Sequence, residues 1–236
     1  DERALKHEIV RRYPNYKLSE VSPLARRVIA QYEIRAQREA LAQRGTESIY
    51  LSVDLCDPDR LIESLDLQLA QRGFTRADIH AVIHGAGVID DQRLEKKPLD
   101  RFRRVIQVKT QGALNLLKIT PNHTRWIFFS SVSSALGNIG QTDYSAANSA
   151  LDSLAERLNL STQLPKDRAR SIQWGPWRGA GMVRPALLRH YERAQLRLLT
   201  LEEGTEALQE EWASLIGTSD VQIGRDAVLL RAWPFK

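Results

Sequence analysis

From residue 48 onward, short runs of apolar, β-branched and aromatic residues alternate with longer stretches whose apolar positions recur every three or four residues. The short runs "SIYLSVD" (48–54), "IHAVIHGAG" (79–87), "RWIFFSS" (125–131), "RARSIQWGPW" (168–177) and "DVQIG" (220–224) predict strands. Between them, "PDRLIESLDLQLAQRG" (58–73), "PLDRFRRVIQVKTQGALNLLKIT" (98–120) and "YSAANSALDSLAERLNL" (144–160) predict helices, and two more are expected within 184–217. Strands and helices alternating at this spacing imply βαβ units, hence an α/β fold with a doubly wound parallel sheet. Ahead of it, residues 1–13 are expected to be helical. Residues 22–44 are expected to form a long helix capped by Ser22, opened by Pro23 and stopped by Gly45.

Composition narrows the functional classes. The 236 residues are 42% hydrophobic and 27% charged, within the range of ordinary soluble domains. No apolar run approaches the ~20 residues of a membrane span, and "DERALKHEIVRRYPNYKL" lacks the apolar core of a signal peptide, so no membrane partner and a cytoplasmic location are expected. One cysteine, Cys56, permits no internal disulfide, and the five histidines show no HExxH spacing, so no metal is expected. The net charge of +5 comes from arginines mixed with acids, as in "RRVIAQYEIRAQREALAQR". That pattern suits solvated helix faces better than nucleic acid, and it equally suits an acidic cofactor or protein partner.

The chemistry gathers at the strand ends. In an open parallel sheet, ligands bind beyond the carboxyl ends of the strands. Those ends carry Asp54, then His84-Gly85-Ala86-Gly87, then Ser130-Ser131, then Gly175-Pro176-Trp177. Tyr144 and Asn148, four apart at a helix start, share one face, and Ser131 precedes the tyrosine by thirteen residues with Gly137 and Gly140 between. A serine hydroxyl and a phenol can therefore converge on one substrate oxygen. A phenol with a pKa near ~10 needs a nearby cation to serve at neutral pH. Lys109 lies within the apolar stripe of Phe102, Val105, Ile106, Ala113, Leu116 and Leu117, and it either supplies that cation or snorkels to solvent.

Taken together, "HGAGVIDD", "VIQVKTQGALNL", "FFSSVSSALGNIGQTDYSAAN" and "SIQWGPW" resemble, in order and spacing, the ketoreductase domains of modular polyketide synthases and polyunsaturated-fatty-acid synthases. These belong to the short-chain dehydrogenase/reductase superfamily, whose fold is Rossmann-like. The resemblance covers roughly residues 47–225. It implies residues 1–46 as leading helices or a helical insertion, and 47–236 as the catalytic Rossmann-like subdomain with lid helices around 181–200.

By that resemblance Tyr144 is the proton donor, Ser131 binds the substrate carbonyl, and Lys109 lowers the tyrosine pKa and holds the nicotinamide ribose. Asn148 takes the place where free-standing members carry lysine. The implied reaction is hydride transfer from NADPH to C3 of a β-ketoacyl chain, held as a phosphopantetheine thioester on an acyl carrier protein among neighbouring synthase domains. Asp54 and Leu55 match positions flanking the adenine, Gly85, Ala86 and Gly87 allow close approach of the cofactor, and Gly175, Pro176 and Trp177 border the nicotinamide. From the residues alone, Asp54 is equally a helix cap, the glycines turn residues and Trp177 core. Asp91, with Asp90, matches the tail of a motif associated with a D-hydroxy product, although Ile89 replaces the usual leucine. Met182 and the helix after it correspond to a lid over the substrate, and from the residues alone they equally suit an ordinary amphipathic surface helix.

One departure stands out. None of the thirteen glycines forms Gly-x-Gly-x-x-Gly, so the phosphate cradle of a dinucleotide fold is not in this sequence. The fold is accordingly expected to be incomplete at its N-terminus, with Asp1 internal to a larger polypeptide. Two alternatives are a non-catalytic scaffold and a free-standing alcohol dehydrogenase. The first needs neither the buried lysine nor Ser131, and the second calls for lysine at position 148.

Overall fold

Four of the five expected strands pair in parallel and in chain order: β1 (Ala81–His84), β2 (Arg125–Ser131), β3 (Ala169–Trp174) and β4 (Asp220–Ile223). The computed structural model describes residues 2–161, 168–178, 197–213 and 220–223, so Met182 and most of the expected lid lie outside the described residues. The side chains of β2 alternate between two cores, as a two-residue period requires. Trp126 and Phe128 pack with Ala113 of α4 (Leu99–Ile119) and with Leu151 and Ala155 of α6 (Thr142–Leu160). Ile127 and Phe129 face the other way, with Ile172, Trp174 and Leu199, against Ala207 and Leu208 of α7 (Leu201–Ala213). Helices thus cover both faces, and the doubly wound α/β expectation holds. Trp126 and Phe128 are fully buried and stack at 5.4 Å. Burying each contributes about 1.5–3 kcal/mol.

Two compact units divide the chain between Ser52 and Val53. The first holds α1 (Glu2–Arg12) and α2 (Leu18–Gln43), which share a small core of Ile9, Val21 and Ala25. Helix α2 begins four residues before the expected start. The Glu20 carboxylate accepts the Lys17 backbone N–H at 3.0 Å, so an acid three residues on closes the terminus and Ser22 and Pro23 lie inside the helix. The second unit contains α3 (Pro58–Ala70), capped by Asp57, and the sheet with its helices.

Residues 48–54 form no ladder, against expectation. A β-branched run is a strand only where a neighbouring backbone accepts its hydrogen bonds, and Ile49 and Tyr50 stay exposed. Among the described residues β1 is a sheet edge, and its Ile83 is 54% exposed. The segment between β2 and α6 is also more ordered than the loop expected there. It contains the single turn α5 (Ser133–Leu136), and α6 starts at Thr142, two residues before the tyrosine. No helix among the described residues is long and apolar enough to cross a membrane.

Helix α7 is seated through Gly204. A Cβ built there would lie 2.0 Å from the Trp177 ring, far inside contact distance. Alanine normally favours a helix by about 1 kcal/mol over glycine, but here collision with an indole packed 4.9 Å from Trp174 reverses the sign. Gly204→Ala is expected to destabilise the fold by about 1–3 kcal/mol, read as a lowered denaturant midpoint with an unchanged slope.

Candidate active site

Helix α4 carries its lysine into the protein. Lys109 is 3% exposed and its Nζ donates to the Phe129 carbonyl of β2 at 2.7 Å. Burial pulls its pKa from 10.5 to about 8, while the Asp152 carboxylate pushes back. Beside it His84, at the end of β1, is buried, and burial lowers its pKa to about 4, so the ring is neutral. A carbonyl only accepts, so His84 Nε2–H donates to the Lys109 carbonyl at 2.9 Å. Helix α4 comes this close because residue 112 is glycine. A Cβ there would meet Leu55 Cβ at 3.2 Å and the His84 ring at 3.5 Å.

Strand β2 and helix α6 supply the remaining groups. Ser131 Oγ accepts from Ser133 N at 3.2 Å and Ser133 Oγ at 3.0 Å, which leaves its own proton to donate. Asn148 is fully buried. Its Nδ2 donates to the Tyr144 carbonyl at 2.8 Å, and its backbone carbonyl accepts from Ser130 Oγ at 3.3 Å. The Lys109 Nζ lies 5.7 Å from the centroid of the Tyr144 ring. Burial pushes the Tyr144 phenol above its ordinary value, hydrogen bonding to the Asn148 and Ser131 side chains draws it back, and the Asp91 carboxylate raises it further. The phenol is therefore raised here, not lowered as the resemblance implied, because burial outweighs the hydrogen bonds that favour the phenolate. Ser131, Tyr144, Asn148, Lys109 and Asp91 are nevertheless gathered at one place.

The other expected positions divide. Leu55 packs on Gly112, and its carbonyl accepts from Asn115 Nδ2 at 2.8 Å. Asp54 is exposed and turns its carboxylate to the Cys56 N–H at 2.9 Å, while Asp57 is the cap of α3. Gly85 is exposed beside the Phe129 ring, with Ala86 and Gly87 half-buried after it. Gly175 is buried, Pro176 O accepts from Leu199 N at 2.9 Å, and the Trp177 indole packs on Trp174 and Gly204. Asp91 Oδ1 accepts from Gln141 Nε2 at 2.9 Å.

Sequence reasoning missed Asp152, whose two carboxylate oxygens take Ser171 Oγ and Gln173 Nε2. Its spacing was a usable signal, since Tyr144, Asn148 and Asp152 recur every four residues. It also missed Ser133, the bond that ties His84 to the Lys109 backbone, and a buried Lys97–Asp143 pair, whose partners lie far off in sequence or in an unremarkable turn.

The donor set fits the nicotinamide-ribose end of a dinucleotide. Lys109 uses one of three protons on Phe129, and Asn148 Oδ1 is buried with no partner among the described residues, so both offer hydrogen bonds to a polar ligand. The strand ends beside them are open at Gly85.

A doubly wound α/β sheet with Ser131, Tyr144, Lys109 and Asn148 at its carboxyl end has the architecture of short-chain dehydrogenases/reductases. A short-chain dehydrogenase from Streptomyces avermitilis matches the fold with a TM-score of 0.67 at 18% identity, over 84% of this chain and 78% of that one. The KR domain pattern matches residues 10–179, and the chain belongs to that family.

Its relatives are large synthases. A polyunsaturated fatty acid synthase protein of Thraustochytrium sp. is 30% identical over 208 residues, 86% of this chain and 7% of that protein. Polyketide synthase PksL of Bacillus subtilis is 29% identical over 182 residues, 75% of this chain and 4% of that protein. Among solved structures, the ketoreductase from the first module of phoslactomycin biosynthesis in Streptomyces sp. HK803 is 30% identical with a TM-score of 0.69, over 78% of this chain and 41% of that one. A ketoreductase domain from the bacillaene assembly line is 27% identical with a TM-score of 0.69, over 83% and 47%. The chain therefore spans under half the length of these ketoreductases.

Lys109 leaves a thermodynamic signature. Between pH 8 and 10.5 the unfolded lysine holds a proton that the folded one has released, so its contribution to stability rises with pH through that window. Below pH 8 the buried ammonium costs about 3 kcal/mol, less about 1 for its bond to Phe129. Lys109→Met is expected to be about 1–3 kcal/mol more stable than the parent at pH 7, with the difference shrinking toward pH 10. Denaturant titrations of both proteins across this range check it.

Proposed function

We propose that this chain is the catalytic part of an NADPH-dependent β-ketoacyl reductase. Its substrate is the C3 ketone of a β-ketoacyl thioester on an acyl carrier protein, and its product the 3-hydroxyacyl thioester. The observation that carries this reading is the buried Lys109 ammonium 5.7 Å from the Tyr144 ring, at a strand end where Ser131 also interacts with the phenol. Neither folding nor packing requires that arrangement, and a scaffold would be more stable without the buried charge.

When bound, the nicotinamide supplies the hydride that reaches C3. The chain's own residues handle the oxygen. Ser131 Oγ, fixed by Ser133, donates a hydrogen bond to the ketone and holds it against the phenol. Tyr144 gives that oxygen the phenolic proton as the C–O double bond becomes a single bond. The Lys109 ammonium favours the phenolate left behind, which opposes the rise that burial imposes on the tyrosine. Asn148 holds the Tyr144 carbonyl and so the helix start that carries the phenol.

The synthases among the relatives support synthase domains as neighbours, and the net charge of +5 suits an acidic, phosphopantetheine-bearing carrier as partner. NADPH is the nicotinamide donor in this reading, and the cytoplasm its setting.

In the polypeptide that carries this chain, NADPH should be consumed on a β-ketoacyl pantetheine thioester. Tyr144→Phe should lower kcat by about 10²–10⁴-fold, the range of a lost general acid, while NADPH binding measured by fluorescence is retained. A Tyr144→Phe protein with unchanged turnover sinks the mechanism.

A further inference from the structure

Lys97 and Asp143 form an ion pair whose side chains are 1% and 2% exposed. Charges taken so far from water are sustained only by a partner and further hydrogen bonds, and each end has one further bond here. Lys97 Nζ also donates to the Asp90 carbonyl, and Asp143 Oδ1 accepts the Tyr144 backbone N–H at 2.9 Å.

The placement of the pair gives it a role. Lys97 precedes Pro98, the cap of α4, and has the extended backbone that a residue before proline prefers. Twelve residues further on, the same helix buries Lys109. Asp143 is the second residue of α6, directly before Tyr144, where its charge also meets the positive end of the helix. The pair therefore joins the N-terminal ends of the two helices that carry the cation and the phenol. Apolar packing between α4 and α6 is non-directional and does not by itself set how far one helix is slid along the other. A buried ion pair does. Through Asp90 it also holds the turn that presents Asp91, and Gln92 N–H donates to the Gly140 carbonyl at 2.9 Å alongside it.

We propose that Lys97 and Asp143 are positioning residues for proton transfer: their buried pair fixes the register of α4 against α6, and with it the spacing of Lys109 and Tyr144. The kinetic consequence rests on the reductase reading, and the structural one does not.

Two variants of the full polypeptide test it. Asp143→Asn keeps an acceptor for the Tyr144 N–H and removes the charge facing Lys97. Lys97→Met combined with Asp143→Asn removes both charges and relieves the unpaired one. Asp143→Asn should lower kcat by about 10²-fold while KM for the thioester stays within about threefold. Amide hydrogen exchange should accelerate together in residues 90–97 and 143–148. The double variant should regain thermal stability but not kcat. Recovery of kcat with stability would mean a purely structural pair and overturn the proposal, as would a loss carried wholly by KM. The exchange measurement decides without turnover, since unchanged exchange in either segment also overturns it. A fully active Tyr144→Phe protein would separately remove the reductase reading.

Discussion

The hydrogen bond from the Lys109 ammonium to the Phe129 carbonyl is the constraint around which the second unit is arranged. An ammonium between a helix and a sheet is tolerated only where its surroundings are polar enough to hold it. The chain meets that need in layers. A strand carbonyl accepts one proton, and the Asp152 carboxylate, fixed by Ser171 and Gln173, lies close enough to favour the charge. The neutral His84 ring ties the backbone of the same residue to the end of β1. Polar side chains that would be poor core material elsewhere are thus confined to the end of the sheet where the lysine sits.

The two faces of the sheet divide the work. Toward α4 and α6, the core of Trp126 and Phe128 gives way at the strand end to Ser130, Asn148 and Asp152. Toward α7, an unbroken aromatic series of Phe129, Trp174 and Trp177 packs on a helix notched by Gly204. The indole of Trp177 serves this second core. Its seat explains why a residue at a strand end, where ligands are expected, is held by packing.

What could be read from the sequence follows the range of the interactions concerned. The strand "RWIFFSS" was legible to the residue, because its two-residue alternation is written into neighbouring positions. Tyr144, Asn148 and the buried stripe around Lys109 were legible because helical spacing puts them on defined faces. The run at 48–54 has the right residues for a strand, but pairing depends on another backbone, and sequence alternation carries no information about that backbone. Ser133, which orients Ser131, hides in a short turn of serines. Lys97 and Asp143 are forty-six residues apart, and each looks like a surface charge until the fold brings them together.

The direction of the tyrosine's pKa follows from the same arrangement. A lysine close to a phenol suggests a depressed phenol pKa, yet burial dominates here. A raised phenol holds its proton, which suits the donor role proposed for it. Lys109 has two protons beyond the one given to Phe129, and the buried Asn148 Oδ1 has no hydrogen-bond partner among the described residues. A ligand that engages these groups would complete the polar set around the phenol, and the tyrosine would then lose its proton more readily. On this reading the resting site is tuned to keep the proton, and the cation is stationed where binding can change that balance.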